Sequence, residues 1–161
     1  MTMEKKLEKA TFGAGCFWHV EEEFSKVNGV VSTSVGFMDG SLKNPSYKDV
    51  CRGDTGHAEV VHLEFDSNII FYEKLLEIFW NMHDPTTLNR QGPDTGTQYR
   101  SVIFYHSDEQ EKVAQLSKEK LEKLGKYKDK IVTEIVSASE FYKAESYHQR
   151  YFEKQNQKIR F

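Results

Sequence analysis

Residues 12–24 read Phe12-Gly13-Ala14-Gly15-Cys16-Phe17-Trp18-His19-Val20-Glu21-Glu22-Glu23-Phe24. Two glycines allow a tight turn after an apolar approach, and the apolar residues that follow recur at helical spacing. Cys16 is therefore predicted at or near the first position of a helix. Because unpaired backbone N–H groups at a helix N-terminus stabilise an anion, we expect the Cys16 thiol to be more acidic than an ordinary cysteine.

A simpler interpretation makes Cys16 a small buried residue at a strand-to-helix junction. Two aromatic residues follow it directly, at positions 17 and 18, and such a turn would present sulfur and rings to one cleft. This stretch therefore favours a nucleophile beside an apolar pocket, with a purely structural cysteine as the alternative.

Composition limits the possible classes of protein. The 161 residues, of which 38% are hydrophobic and 29% charged, suit one globular domain spanning residues 1–161. A net charge of -3 gives no general reason to expect nucleic-acid binding. Two cysteines are too few for a secreted disulfide scaffold, and residues 1–10 carry no apolar run of a signal peptide or membrane anchor. We expect a cytoplasmic protein that binds no membrane.

Strand and helix patterns share the rest of the chain. The patterns predict strands at 9–13, 30–37, 57–65, 101–105 and 131–136, and helices at 16–27, 69–82 and 107–124. This mixture indicates an α+β fold with helices layered on a sheet. The loop predicted at 84–98 is long for a compact domain, and loops of that length are usually functional or disordered.

One residue breaks the alternation of the strand that follows His57. Glu59 shares a face with Val61, Leu63 and Phe65, so an acid occupies the loop end of an otherwise apolar row. A carboxyl group in an apolar environment has a raised pKa and can hold a proton near neutral pH.

A thiol nucleophile needs an acid or base for the departing atom and donors for developing charge. Cys16, Glu59, Asp94, Tyr47 and Tyr99 could fill these positions. A protonated glutamate suits reduction of an oxidised group better than peptide hydrolysis, for which a cysteine normally recruits a histidine base.

Four motifs, in this order along nearly the whole chain, resemble the A-type peptide methionine sulfoxide reductases. They are Gly15-Cys16-Phe17-Trp18; Tyr47 with Gly53-Asp54-Thr55-Gly56-His57-Ala58-Glu59; Arg90-Gln91-Gly92 with Asp94-Thr95-Gly96-Thr97-Gln98-Tyr99-Arg100; and Ala144-Glu145-Ser146-Tyr147-His148-Gln149. The resemblance implies a two-layer α/β plait, ferredoxin-like, wrapped by long coil segments. It also implies reduction of the S epimer of methionine sulfoxide, free or in proteins, and hence repair of oxidative damage.

The resemblance assigns the chemical roles. Cys16 would attack the sulfoxide sulfur while Glu59 gives a proton to its oxygen. Tyr47 and Tyr99 would hydrogen-bond that oxygen, and Asp94 would help to orient the substrate. Methionine would leave, and Cys16 would become a sulfenic acid.

Phe17 and Trp18, by the same resemblance, would hold the ε-methyl group in an aromatic corner. Oxygen and methyl would then occupy opposite sides of one fixed pocket, which accounts for the family's selectivity for the S epimer. No bound cofactor or metal is implied.

Three departures from the family pattern stand out. His19 replaces a frequent glycine, and Lys143 replaces a frequent proline at what we expect to be the surface. The resolving cysteines that many members carry in a C-terminal tail have no counterpart here, which leaves Cys51, interpreted as structural, with a resolving role as the alternative. An external thiol, either glutathione with glutaredoxin or thioredoxin, would then reduce Cys16.

Other functions compete with this interpretation. A thiol peroxidase or a cysteine hydrolase would use Cys16 on another substrate, and a binding module would recognise methionine-containing peptides without chemistry. His57, His62 and Cys51 could suggest a metal, but their spacing matches no familiar site. His148 is interpreted as a structural hydrogen-bonding residue, and Glu145 as a cap or support of the site.

Overall fold

The computed structural model describes residues 4–159, with side chains described for residues 4–156. None of its helices is long and apolar enough to cross a membrane. Within this range the elements are β1 (Leu7–Ala14), α1 (Phe17–Ser25), β2 (Val30–Met38), α2 (Tyr47–Cys51), β3 (Ala58–Asp66), α3 (Tyr72–Asn81), β4 (Arg90–Gln91), β5 (Asp94–Thr95), β6 (Ser101–Tyr105), α4 (Asp108–Lys123), β7 (Glu134–Ser137), β8 (Tyr142–Lys143) and α5 (Tyr151–Ile159).

The main sheet has the strand order β7-β6-β1-β3-β2-β8. The four inner strands are antiparallel to one another, the edge strand β8 is antiparallel to β2, and the other edge strand, β7, pairs with β6 in parallel. Along the chain the inner strands and two helices follow as β1-α1-β2-β3-α3-β6. The prediction of an α+β fold is confirmed by this mixed sheet and its helices.

The two faces of the sheet carry separate apolar clusters because side chains alternate along each strand. On one face, the ring of Phe12 in β1 stacks on Phe24 of α1 at 5.1 Å and on Phe79 of α3 at 5.2 Å between centroids. On the other face, Val60 and Phe104 are covered by residues that follow β7. The helices therefore share one face, and the chain after β7 covers the opposite one.

The observed boundaries correct several predicted ones by a few residues. Helix α1 ends at Ser25 rather than near position 27, and α3 begins at Tyr72 rather than at 69. The strand predicted at 131–136 is β7, which begins at Glu134 and ends at Ser137. The long predicted loop contains a short hairpin formed by β4 and β5, in which Gln91 pairs with Asp94. Asp94 is thus held in a hairpin strand.

Candidate active site

The turn between β1 and α1 places Cys16 at the junction of sheet and helix. Gly15 has a φ of +92°, a conformation that side chains other than glycine rarely adopt, and an added Cβ would lie 2.8 Å from Cβ of Gln91. Cys16 is the N-cap of α1, and its carbonyl accepts a hydrogen bond from the His19 N–H at 3.2 Å. The predicted position of Cys16 at a helix N-terminus agrees with this geometry.

Glu59 lies directly beneath this helix start. The backbone N–H of Phe17, the first residue of α1, donates to Oε1 of Glu59 at 3.2 Å. The side chain is only 1% exposed, and its row neighbours Val61, Leu63 and Phe65 are buried with it. The alternation of β3 therefore places the acid in the apolar, helix-covered face, as the sequence pattern predicts.

The environment of Glu59 keeps its carboxyl group protonated at neutral pH. Burial raises the pKa of Glu59 to about 8, against the lowering effect of the Phe17 N–H, and the charge of Asp94 raises it further. Oε2 of Glu59 is buried and has no hydrogen-bond partner among the described residues. A buried polar atom without a partner costs about 1–3 kcal/mol, so a ligand that accepts from this oxygen recovers that energy.

The Cys16 thiol, in contrast, is less acidic than the sequence predicts. Its pKa is raised to about 11 because burial disfavours the thiolate, and the charges of Glu59 and Asp94 act in the same direction. The N–H groups of Trp18 and His19 lower the pKa, as expected at a helix N-terminus, but their effect is smaller. The expectation of an acidic thiol is therefore wrong for the free protein.

Two tyrosines from different parts of the chain lie near Glu59. Tyr47 is the first residue of α2, and Tyr99 ends the 3₁₀ turn Thr97–Tyr99. Burial raises the pKa of each phenol, and the charge of Glu59 raises both further. The pKa of Tyr99 also responds to Asp94 and Cys16, so these groups lie within electrostatic reach of one another. Both phenols stay protonated and can donate hydrogen bonds.

An aromatic wall stands beside Cys16. Phe17 is fully buried and packs against Tyr47 at 6.0 Å between ring centroids, while the half-buried Trp18 stacks on Tyr151 at 3.9 Å. His148 lies among these rings, 5.4 Å from Phe17 and 4.2 Å from Tyr47. The wall is thus built from three separate parts of the chain.

The segment 144–150 supports this wall with polar contacts that the sequence alone did not locate. The carboxylate of Glu145 accepts from the Tyr47 N–H at 3.2 Å, and the N–H of Arg150 donates to buried Glu21 at 2.7 Å. The side-chain amide of Gln149 bonds both the N–H and the carbonyl of Val35, each at 2.9 Å. The only signal of this role in the sequence is the cluster of polar residues within a short aromatic segment.

The residues considered for a metal have other partners. Nδ1 of His57 accepts from the Gly40 N–H at 2.9 Å, and its Nε2 donates to the Leu42 carbonyl at 2.7 Å, so His57 holds the loop before α2. Nδ1 of His62 contacts the hydroxyl of Thr11 at 2.8 Å. Cys51, in contrast, is a free cysteine that is exposed at the end of α2.

His19 and Lys143, the two positions at which residues differ from the family pattern, are both exposed. The ring of His19 lies 4.9 Å from that of Phe152 in α5, on the outside of the helix. Lys143 belongs to the edge strand β8 and is opposite Gly36 of β2. Neither side chain is part of the arrangement around Cys16.

A cysteine at a helix start, a buried protonated acid and two phenols are the kinds of group that a thiol-dependent oxidoreductase uses. The family model described as Peptide methionine sulfoxide reductase matches residues 8–161. The Peptide methionine sulfoxide reductase MsrA of Methanothermobacter thermautotrophicus is 63% identical over 149 residues, which cover 92% of this chain and 88% of the relative. This chain belongs to the peptide methionine sulfoxide reductase family.

Solved structures agree with this assignment. The reduced form of Mxr1 from Saccharomyces cerevisiae is 40% identical and superposes with a TM-score of 0.88, covering 94% of this chain and 87% of that one. Mxr1 in complex with Trx2 is 26% identical and matches with a TM-score of 0.64 over 93% of this chain and 90% of that one.

The raised pKa of Cys16 predicts slow alkylation. In a Cys51→Ser background, iodoacetamide should modify folded Cys16 at pH 7 roughly 10²-fold more slowly than the same cysteine in the urea-unfolded chain, because few thiols are ionised. The rate, followed by peptide mass spectrometry, should rise about tenfold per pH unit towards pH 11. Half-maximal reactivity at or below pH 8.5 would contradict this account of the thiol.

Proposed function

We propose that this protein reduces the S epimer of methionine sulfoxide, free or within proteins, to methionine, and so repairs oxidised proteins in the cytoplasm. The observation that carries the proposal is the protonated Glu59 beside Cys16, with a buried Oε2 that has no partner among the described residues. Membership of the family supports the substrate class. Residues 1–161 would act as one catalytic domain.

The reaction balances with these two groups and the sulfoxide alone. The Glu59 carboxyl donates its proton to the sulfoxide oxygen, which makes the sulfur more electrophilic. Cys16 attacks that sulfur, and the thiol proton passes to the Glu59 carboxylate, which restores the acid. Oxygen then transfers, as hydroxyl, from the substrate sulfur to Sγ of Cys16. Methionine leaves, and Cys16 remains as a sulfenic acid.

Because the Cys16 thiol is mostly protonated in the free protein, this mechanism activates the electrophile more than the nucleophile. A protonated sulfoxide is a far better electrophile than a neutral one. A nearby neutral phenol can also donate a hydrogen bond to the oxygen and so stabilise the charge that develops on it. Tyr47 and Tyr99 would supply these donors, and Asp94 would orient the substrate from the β4–β5 hairpin.

The proposed roles of the donors and the aromatic rings would account for selectivity at sulfur. The donors Glu59, Tyr47 and Tyr99 would hold the oxygen, while Phe17 and Trp18 would enclose the methyl group. A sulfoxide sulfur is a stereocentre, so fixing oxygen and methyl leaves one direction for the rest of methionine. Only one epimer can then present its sulfur to Cys16 with both groups in place.

The sulfenic acid would be reduced by an external thiol, so no bound cofactor takes part. Thioredoxin is one candidate, supported by the complex of the related Mxr1 with Trx2. Glutathione with glutaredoxin is the other. Cys51 would be structural, because partial desolvation raises the pKa of its thiol and so leaves little thiolate at neutral pH to attack a sulfenic acid.

The function can be tested with the two sulfoxide epimers. With dithiothreitol as reductant, the protein should convert the S epimer of N-acetylmethionine sulfoxide to the sulfide and leave the R epimer nearly unchanged. Cys16→Ser should abolish turnover, since a hydroxyl cannot take up the oxygen, but should still bind the substrate. An inactive wild-type protein that reduces peroxides or cleaves peptides instead would overturn the proposal, and binding without turnover would indicate a binding module.

The role of Glu59 predicts a specific pH dependence. Because its pKa lies at about 8, kcat/KM should fall about tenfold per pH unit above pH 8 as the acid ionises. Glu59→Gln should lower kcat/KM at pH 7 by about 10²-fold or more and remove this decline. A wild-type profile that rises steadily from pH 7 to pH 10 would show that thiolate formation, and not protonated Glu59, limits the rate.

Mass spectrometry of the protein can show what becomes of the proposed sulfenic acid on Cys16. After one equivalent of sulfoxide without reductant, the protein should gain one oxygen on Cys16 and react there with dimedone. Cys51→Ser should give the same product and keep turnover with thioredoxin or with glutaredoxin and glutathione. Loss of two hydrogens in the wild type, absent from the Cys51→Ser variant, would instead identify a Cys16–Cys51 disulfide and a resolving role.

A further inference from the structure

Glu145 carries a half-buried carboxylate that the reaction described above does not use. Both of its oxygens accept from the backbone N–H of Tyr47, at 3.2 and 3.3 Å, and this N–H is the one donor that the carboxylate has among the described residues. The two residues are 98 positions apart along the chain. A hydrogen bond to a charged acceptor is about twice as strong as one between neutral groups, so this contact restrains the backbone of Tyr47.

The contacts inside the short helix α2 set its shape but not its place on the protein. The Ser46 hydroxyl accepts from the Asp49 N–H at 3.1 Å, and the Asp49 carboxylate accepts from the Ser46 N–H at 3.0 Å, which forms a capping box. The N–H of Tyr47 takes no part in this box, because the first N–H groups of a helix have no intrahelical partner. Buried Val50 anchors the far end of α2 in the core, so the contact with Glu145 holds the Tyr47 end.

Glu145 is itself fixed to the main sheet. Before it, the Ala144 N–H donates to the Val35 carbonyl in β2 at 3.0 Å. After it, the His148 N–H donates to the carbonyl of Glu145 at 3.0 Å. The backbone that presents the carboxylate is therefore held on both sides, and the restraint on Tyr47 is referred to the position of β2.

The packing of the Tyr47 ring does not by itself set how far the hydroxyl reaches. The ring lies beside those of Phe17, Trp18 and His148, at centroid distances of 6.0, 6.4 and 4.2 Å. Aromatic pairs are attractive over a range of offsets, so these contacts restrain the plane of the ring more closely than its position within that plane. The hydroxyl is at the far end of the side chain, and a shift of the Tyr47 backbone carries it along.

The reach of the phenol matters because it acts on charge that develops in the transition state. A donor aimed at such an oxygen is worth about 10²-fold or more in rate, and a misplacement of about 1 Å can forfeit much of this gain. The loss falls on the rate of oxygen transfer more than on substrate binding, since the uncharged sulfoxide of the ground state gains less from the same donor.

We propose that Glu145 is a positioning residue: by accepting the Tyr47 N–H, it holds the phenol where it donates to the sulfoxide oxygen in the transition state. This inference rests on the proposed function. In this scheme Glu145 touches neither the substrate nor Cys16, and its effect on the reaction passes through Tyr47.

The test separates the acceptor, the charge and the reach of the side chain. Glu145→Gln keeps an oxygen acceptor without the charge, Glu145→Asp keeps the charge but is one methylene shorter, and Glu145→Leu has neither acceptor nor charge. Each protein is mixed with the S sulfoxide of N-acetylmethionine without reductant, so that every molecule turns over once. Glu145→Leu should lower the maximal rate of oxygen transfer about tenfold and change the half-saturating concentration by less than about twofold. Glu145→Gln should keep most of the rate, and Glu145→Asp should lie between the two.

A tyrosine variant shows whether the effect passes through Tyr47. Tyr47→Phe should lower the rate by about 10²-fold, and in that background Glu145→Leu should cost less than about a further twofold, because no phenol is left to misplace. Glu153→Leu, which alters an exposed glutamate of α5, is the matched control and should leave the rate unchanged.

Crystal structures provide a readout that does not depend on turnover. In the Cys16→Ser protein with bound sulfoxide, the Tyr47 hydroxyl should lie within hydrogen-bond distance of the sulfoxide oxygen. When Glu145→Leu is added to this protein, the hydroxyl should be displaced from the oxygen while the substrate stays bound. Thermal unfolding of each variant confirms that the compared proteins are folded.

Several results would overturn the inference. A folded Glu145→Leu protein with an unchanged rate would exclude the role, and a full tenfold loss in the Tyr47→Phe background would show that Glu145 acts on another group. A Glu145→Gln protein as slow as Glu145→Asp, or slower, would show that the charge matters and not the acceptor; this pair decides alone if Glu145→Leu does not fold. A wild-type protein that fails to reduce the S sulfoxide would overturn the proposed function itself, a result distinct from all of these.

Discussion

The hydrogen bond from the Phe17 N–H to Glu59 joins the two elements on which the site depends. The start of a helix has N–H groups without intrahelical partners, and a buried carboxyl group needs a donor. The Phe17 N–H and the Glu59 carboxyl group satisfy each other, and their hydrogen bond holds α1 and β3 in one relative position. Cys16, one residue before Phe17, is thereby set beside the acid.

Burial at the junction of α1 and β3 sets the pKa values of both Glu59 and Cys16. A single backbone donor stabilises the carboxylate, but it does not compensate for loss of water around a side chain that is 1% exposed, so the pKa of Glu59 still rises to about 8. Burial also acts on the thiol, whose pKa rises to about 11 despite two backbone donors. A helix N-terminus therefore does not guarantee an acidic cysteine, because desolvation can exceed the effect of the helix.

The side-chain amides of Gln149 and Gln91 bond backbone groups that have no strand beside them. Gln149 bonds the N–H and carbonyl of Val35 as a neighbouring strand would, beside the short edge strand β8. Gln91 does the same for Asp84, accepting from its N–H and donating to its carbonyl, while its Cβ packs against Gly15. Gln149 thus ties the C-terminal segment to β2, and Gln91 closes the 84–98 segment on itself while its side chain lies against the Gly15 turn.

Local patterns predict much of this arrangement, because they arise from periodicity and turn chemistry. The alternation of β3 predicts that Glu59 faces the core, and the glycines before Cys16 predict a turn into a helix. The predicted helix at 107–124 is found as α4, and the hydroxyl of Ser107 caps it by accepting from the Gln110 N–H at 3.1 Å. The side chain of Gln110 makes tertiary contacts: its oxygen accepts from the His106 N–H, and its amide donates to the Lys9 carbonyl in β1.

What local patterns do not predict are the quantities set by tertiary contacts. The sign of the Cys16 pKa shift depends on how completely β3, the 84–98 segment and the aromatic wall exclude water, and no short stretch of sequence encodes that. The pairing of Trp18 with His148 joins residues 130 positions apart. Polar residues in 144–150 are recognisable as unusual, but their partners become known only from the fold.

The raised pKa of Cys16 also affects how the thiol reacts with oxidants. Susceptibility of a cysteine to oxidation follows its thiolate character and exposure, so a thiol that is protonated and half-buried reacts slowly with peroxide. An acidic, exposed nucleophile would be faster but would be lost to sulfinic acid before it met its substrate. In the proposed mechanism the activation falls on the sulfoxide oxygen, through a proton held by Glu59, so the site would react with one electrophile and not with others. The buried acid would then be the source of both the rate and the protection.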